Sequence, residues 1–298
     1  MRIARRLLLP LALVAAALAT LQWGLPAVTA GDAPEPWALL RVQAPRAVAG
    51  LARVVVGVVD SGVDASHPDL EDRVLPGIDL VDGGPGTHDP FGHGTQVAGI
   101  IASGELGVAQ NALILPVRVL DAQGAGTTSR LAEGIRWAAD HDARVINASV
   151  ETEDRRQVLK AAVEYSWSRN SVVVAISGNQ GGGVQWPAAY GHALAVGATD
   201  QDDRHAAFSG QGSELDLVAP GVGITTTAAG GGYAKATGTS AAAPFVSGAV
   251  ALLLGQEPEL TNADLVRRLR ATARDLGRPG PDDRYGAGLL DIAAALEA

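Results

Sequence analysis

The chain has 298 residues, 23 Lys plus Arg against 32 Asp plus Glu, 47% hydrophobic residues and no cysteine. That balance excludes a disordered chain, a disulfide scaffold, a cysteine-bound zinc site and a thiol nucleophile. A net charge of −9 argues against nucleic acid as a partner, because phosphate binding needs a surplus of cations.

Arg2, Arg5 and Arg6 precede an apolar run from Leu7 to Leu21, and Val28-Thr29-Ala30 offers small residues for a signal peptidase. Residues 1–30 therefore read as a signal peptide, with export of the rest. The alternative is an uncleaved anchor, since no charge interrupts Leu7–Ala30, and only then is a membrane a partner. Cleavage would remove three arginines and no acid, moving the charge from −9 to −12.

Residues 31–50, with Pro34, Pro36 and Pro45, read as an irregular lead-in. From Val54 strands and helices alternate. Val54–Asp60 (VVVGVVD) is a β-branched run of the kind buried on both faces of a parallel sheet. Similar runs recur at Leu113–Leu120, Arg144–Val150, Ser171–Ser177, Ala193–Ala198 and Leu215–Val218. Helical patterns cover Thr95–Ser103, Ser129–His141, Arg155–Ser168, Ser240–Gln256 and Asn262–Ala273, the last with Thr261 and Asp264 spaced as a capping box. The expected architecture is α/β: one domain over 51–298, with a mostly parallel central sheet flanked by helices.

Four places carry chemistry. Asp60 closes the first strand before Ser61-Gly62, a turn that would expose its carboxylate; alone it could equally cap a helix or bind a ribose. His93 sits between Gly92 and Gly94 at a helix start, where the positive helix end favours a neutral, proton-accepting imidazole. Ser240, in Gly238-Thr239-Ser240-Ala241-Ala242-Ala243-Pro244, precedes a long apolar helix with little bulk around its hydroxyl, and Pro244 suits a first helical turn. Its plain role there would be capping. Asn179, after Ile176-Ser177-Gly178, ends a strand and can donate to a developing negative charge, or simply turn the chain.

Together these segments resemble the subtilisin-type serine proteases (subtilases, peptidase S8 family). VVDSGVDASHPDL resembles the family's aspartate motif, FGHGTQVAGII its histidine motif, GTSAAAPFVSG its serine motif and AISGN its oxyanion-asparagine motif. VINASV, SELDLVAPG and the closing YGAGLLDIAAAL extend the match over nearly all of residues 37–296. The resemblance implies a three-layer subtilisin-like fold and a secreted serine endopeptidase with catalytic Asp60, His93 and Ser240 and oxyanion donor Asn179. It also implies that Ser149-Val150 and the Gly124–Gly126 turn pair with extended polypeptide substrate. The alternative is a catalytically silent subtilase scaffold used for protein binding.

Departures from the family pattern set further expectations. Only about twenty residues separate Ala30 from Val54, and PWALLRVQAPRAV resembles a mature amino terminus, so folding without a cis propeptide is expected. Ala241 replaces the methionine after the serine, leaving Met1 as the only methionine, so resistance to peroxide is expected. Glu151 replaces a glycine and, with Glu153 and Asp154, suggests an acidic rim that disfavours acidic side chains near the scissile bond and tolerates basic ones; the same residues could simply solvate a helix start.

The short SGELGV stretch from Ser103 lacks a longer calcium loop, so Asp69 is not expected to bind calcium. No cofactor is required; a weak structural calcium or sodium site could form from the carbonyls of Gly191 and Ala193 with Asp216. A monomer is the default.

Other enzyme classes fit poorly. No serine is flanked by glycines as Gly-x-Ser-x-Gly, the six histidines never form His-Glu-x-x-His, and no Gly-x-Gly-x-x-Gly follows the first strand.

Overall fold

The computed structural model describes residues 13–15, 37–45 and 50–298. The signal-peptide expectation therefore falls outside the described residues, apart from Leu13–Ala15. In chain order the elements are β1 (Leu13–Ala15), α1 (Trp37–Arg41), β2 (Val55–Asp60), a 3-10 turn (Pro68–Leu70), β3 (Ile78–Asp79) and α2 (His93–Ala102). Then come β4 (Leu113–Arg118), β5 (Ala125–Thr127), α3 (Thr128–Asp140), β6 (Val145–Ala148), α4 (Gln157–Ser168), β7 (Val172–Ile176) and β8 (Ala193–Thr199). The chain finishes with β9 (Leu217–Pro220), β10 (Ile224–Thr227), β11 (Tyr233–Ala236), α5 (Thr239–Gln256), α6 (Asn262–Thr272) and α7 (Ile292–Glu297).

Seven strands form one parallel sheet in the order β3-β4-β2-β6-β7-β8-β9. The β-branched runs explain it, because a strand covered on both faces needs apolar residues at every position. Along β7, Val172, Val174 and Ile176 enter one core, while Val173 and Ala175 enter the other. The first core holds Val97 and Ile100 of α2 with Phe245 and Val246 of α5; the second holds Leu131 and Ile135 of α3 with Leu159 and Val163 of α4. The result is the expected three-layer α/β arrangement.

Strand β2 lies between β4 and β6, so the chain departs in opposite directions on its two sides. The carboxyl ends of strands at such a reversal are where doubly wound sheets form their clefts. Asp60 ends β2, Ser149 follows β6, and Asn179 follows β7.

Local signals largely hold. Thr261 and Asp264 form the expected capping box, a device worth about 1 kcal/mol. Among the described residues only α5 is long and apolar enough to cross a membrane, and it is the buried central helix.

Two expectations need correction. The lead-in is not wholly irregular: Trp37–Arg41 is helical, and Ala38 with the following Val42 is buried in the first core. Apolar contact outweighs the neighbouring prolines there. Pro244 is not in the first turn of its helix, because α5 begins at Thr239.

Candidate active site

Asp60 is fully buried at the end of β2. Its Oδ1 accepts hydrogen bonds from the Ser61 amide at 2.7 Å and from His93 Nδ1 at 2.8 Å. With Nδ1 donating to the carboxylate, Nε2 is the nitrogen left to accept a proton. His93 is the first residue of α2, two positions earlier than the periodicity predicts. Gly92 reaches φ 89°, a left-handed conformation that glycine adopts without penalty. Gly94 has no room for a side chain, since a β-carbon there would lie 2.0 Å from the Gly62 carbonyl oxygen.

Asp89, which the motif search does not single out, anchors this helix start. Its Oδ1 accepts from Ser61 Oγ at 2.7 Å and Gly92 N at 2.8 Å, and its Oδ2 from Thr95 N at 2.8 Å and Thr95 Oγ1 at 2.6 Å. It thereby satisfies amides that the first turn leaves open. An acidic residue just ahead of a helix was the available signal. Burial alone would pull the His93 pKa down, but the charge and hydrogen bond of Asp60, with the Asp89 charge behind, outweigh it and raise it above the ordinary value. The positive helix end is thus not the only influence on the imidazole, since two carboxylates act on it as well.

Ser240 is the second residue of α5. A β-carbon built on Gly238 would lie 3.0 Å from Ser240 Oγ, 3.4 Å from Asn179 Oδ1 and 3.7 Å from Asn179 Nδ2. The hydroxyl and the amide therefore border one small space. Asn179 Oδ1 accepts from Thr239 N at 2.8 Å and Thr239 Oγ1 at 2.9 Å, which orients Nδ2 as the donor end. Among the described residues no hydrogen bond joins Ser240 Oγ to the imidazole; such contacts commonly tighten only when substrate is bound.

Proline at 244 has no N–H to give the Ser240 carbonyl four residues back. Ser149 fills that gap, its Oγ donating to Ser240 O at 3.3 Å. Ser149 Oγ accepts from Asn147 Nδ2 at 2.8 Å, and Asn147 Oδ1 accepts from Ser247 Oγ at 2.8 Å. This buried relay ties α5 to the end of β6, and the motif reading missed Asn147 and Ser247.

The expected substrate-binding segments occupy different surroundings. Val150 is wholly buried in the second core. Gly124 turns at φ 73° beneath the Phe91 ring, where a β-carbon would meet Cζ at 2.5 Å. The adjoining edge strand β5 pairs antiparallel with β1, with Gly126 opposite Val14 and Ala125 opposite Ala15. This edge accepts an extended chain.

The acidic rim does not form as one surface. Glu153 and Asp154 are exposed, Asp154 pairing with Arg156 at 2.7 Å, whereas Glu151 is only 5% exposed. Burial pushes the Glu151 carboxyl up to about 7, helped by the Glu153 charge and opposed by the Asn179 amide.

Among the described residues no three His, Asp or Glu side chains cluster as metal ligands. Asp69 accepts from Glu105 N at 3.1 Å and the Tyr233 hydroxyl at 3.3 Å. Asp216 accepts from Ala195 N at 2.8 Å and is paired with Arg270 at 3.2 Å. An internal guanidinium already meets that carboxylate, so the residues give no support to a cation site there.

A buried carboxylate–imidazole pair at the sheet's carboxyl end, in a chain that also sets a helix-start serine beside an asparagine amide, is the constellation expected of a serine hydrolase. The sequence model described as the subtilase family matches residues 52–288. The alkaline protease of Alkalihalobacillus alcalophilus is 43% identical over 270 residues, covering 87% of this chain and 69% of the relative. Subtilisin Savinase of Lederbergia lenta is also 43% identical over 270 residues, covering 87% and 98%. Fervidolysin of Fervidobacterium pennivorans, described as a keratinolytic enzyme related to subtilisin, superposes with a TM-score of 0.81 at 32% identity. That match covers 92% of this chain but 48% of fervidolysin, so this chain spans about half of fervidolysin's length. The chain belongs to the subtilase family and is a serine-type endopeptidase acting on polypeptides.

Proposed function

We propose that Asp60, His93 and Ser240 form the catalytic triad of an exported, monomeric endopeptidase, with Asn179 as the oxyanion donor. The observation that carries this reading is the 2.8 Å hydrogen bond from His93 Nδ1 to buried Asp60. It leaves Nε2 as the base for a hydroxyl held beside the Asn179 amide. Ser240 Oγ attacks the peptide carbonyl while His93 takes its proton and later delivers it to the leaving amine. Water then hydrolyses the acyl-enzyme by the same route. Asp60 fixes the imidazole tautomer and stabilises its protonated form. The Asn179 amide and the Ser240 N–H, at the positive end of α5, hold the oxyanion. Extended substrate pairs along the Gly124–Gly126 edge, next to where Leu13–Ala15 pairs with Ala125–Thr127, and against Ser149-Val150.

A fluorophosphonate probe tests the assignment. Wild type should be labelled and Ser240→Ala should not; peptide turnover should fall about 10⁶-fold, the loss known for the corresponding change in subtilisin itself. Unlabelled wild type, or a labelled Ser240→Ala, would refute it.

A further inference from the structure

Glu151 follows Ser149-Val150 and sinks its carboxyl beside the end of β7. Its Oε1 accepts from the Asn179 backbone N–H at 3.4 Å, while its Oε2 is buried with no hydrogen-bond partner. A second orphan acceptor lies close by. Gln185 Oε1 is also buried without a partner, and its amide is oriented by Nε2 donating to the Gly183 carbonyl at 3.0 Å. Both side chains border Gly178, where φ is 112° and a β-carbon would lie 3.0 Å from Glu151 Oε2 and 2.6 Å from Gln185 Cγ.

Two buried acceptors around one glycine, with no donor between them, are costly to maintain. The charged group that acts on Glu151 is Glu153, which has the same sign; among the described residues no cation is shown offsetting it. A cationic donor from outside would supply that partner. An ammonium offers three N–H groups and a guanidinium five, enough to satisfy both acceptors at once. The place is also defined relative to the chemistry. Glu151 touches the main chain of Asn179, whose side chain is assigned to the reacting carbonyl oxygen. A carboxyl placed there suits the side chain of the substrate residue that supplies that carbonyl.

We propose that Glu151, assisted by Gln185, is a specificity-determining residue that receives an Arg or Lys side chain, so that the enzyme cleaves after basic residues. This rests on the oxyanion assignment of Asn179. The carboxyl's burial accords with it, because an ionised group held out of water gains most when a partner charge arrives.

The test uses peptide anilides identical except for Arg, Lys, Leu, Phe or Glu before the scissile bond. Wild type should favour Arg or Lys over Leu by about ten- to hundredfold in kcat/KM. Glu151→Gln keeps the shape, removes the charge and should bring that ratio close to one. Benzamidinium, a small planar cation, should compete with the Arg substrate in wild type, which gives a readout even where the variant does not fold. Equal wild-type rates on Leu and Arg, no competition by benzamidinium, or an unchanged ratio in folded Glu151→Gln would each overturn the proposal. Fluorophosphonate labelling separates the failures: labelled enzyme with a flat ratio removes this inference alone, and unlabelled enzyme removes the triad assignment with it.

Discussion

Two helices enter the site on a glycine and carry a reactive side chain in their first turn, but those turns are filled in opposite ways. At the start of α2 the buried carboxylate of Asp89 takes the amides of Gly92 and Thr95 and adds its charge to the field on His93. At the start of α5 a neutral amide, Asn179, takes the Thr239 N–H through its oxygen, and among the described residues no anion takes that place. The difference matches the two tasks. In the proposed roles, the base gains from negative charge that stabilises its protonated form, whereas the nucleophile's helix keeps its field for a charge that arrives with the substrate.

The contrast can be broken from either side. Asn179→Leu removes the amide from the α5 start; kcat should drop about 10²–10³-fold, the range known for subtilisin's equivalent donor, with KM nearly unchanged. Steady-state kinetics decide it, and a loss confined to KM would contradict the oxyanion role. Asp89→Asn attacks the other helix. It should cost about 1–3 kcal/mol in denaturant unfolding, since Thr95 loses its charged acceptor. It should also lower the His93 pKa, so the acid limb of the kcat/KM profile moves to lower pH. A raised histidine pKa stabilises the fold below its unfolded value, and that contribution fades as pH rises through the folded value. An acid limb that stays put would show that Asp89 only shapes the loop.

Ser149→Ala leaves the Ser240 carbonyl without a donor and should lower the melting temperature by about 2–4 °C. The smallest expected effect comes from oxidation. Buried Ala241 follows the serine and Met1 is the only methionine, so activity should survive dilute peroxide with little change. Rapid inactivation would point to another sensitive group beside the nucleophile.

Much of this was legible in the chain itself. Runs such as Val172–Ile176 admit little besides a doubly covered strand, and the Thr261 and Asp264 pair announces a helix start. The residues around Asp60, His93, Ser240 and Asn179 carry their own glycines and small neighbours. What escaped depends on contacts far along the chain. Helix α1 exists because Ala38 packs into a core built from distant elements. The β10–β11 hairpin pairs Ile224–Thr227 with Tyr233–Ala236, two short segments with no periodic signal. Whether Glu151 faces water or the interior is decided by Gly178 and Gln185, which lie in another loop. Asp89 resembles any polar turn residue until its four hydrogen bonds can be counted.

The relay from Ser247 through Asn147 and Ser149 to the Ser240 carbonyl, together with Asn179 on Thr239, leaves the backbone beneath the nucleophile with nowhere to go. The freedom left to the proposed nucleophile is one torsion, rotation about the Cα–Cβ bond that carries Oγ. Under the proposed triad, the serine is a side chain of two heavy atoms on a backbone whose hydrogen bonds are already made, so its placement is set before any substrate arrives.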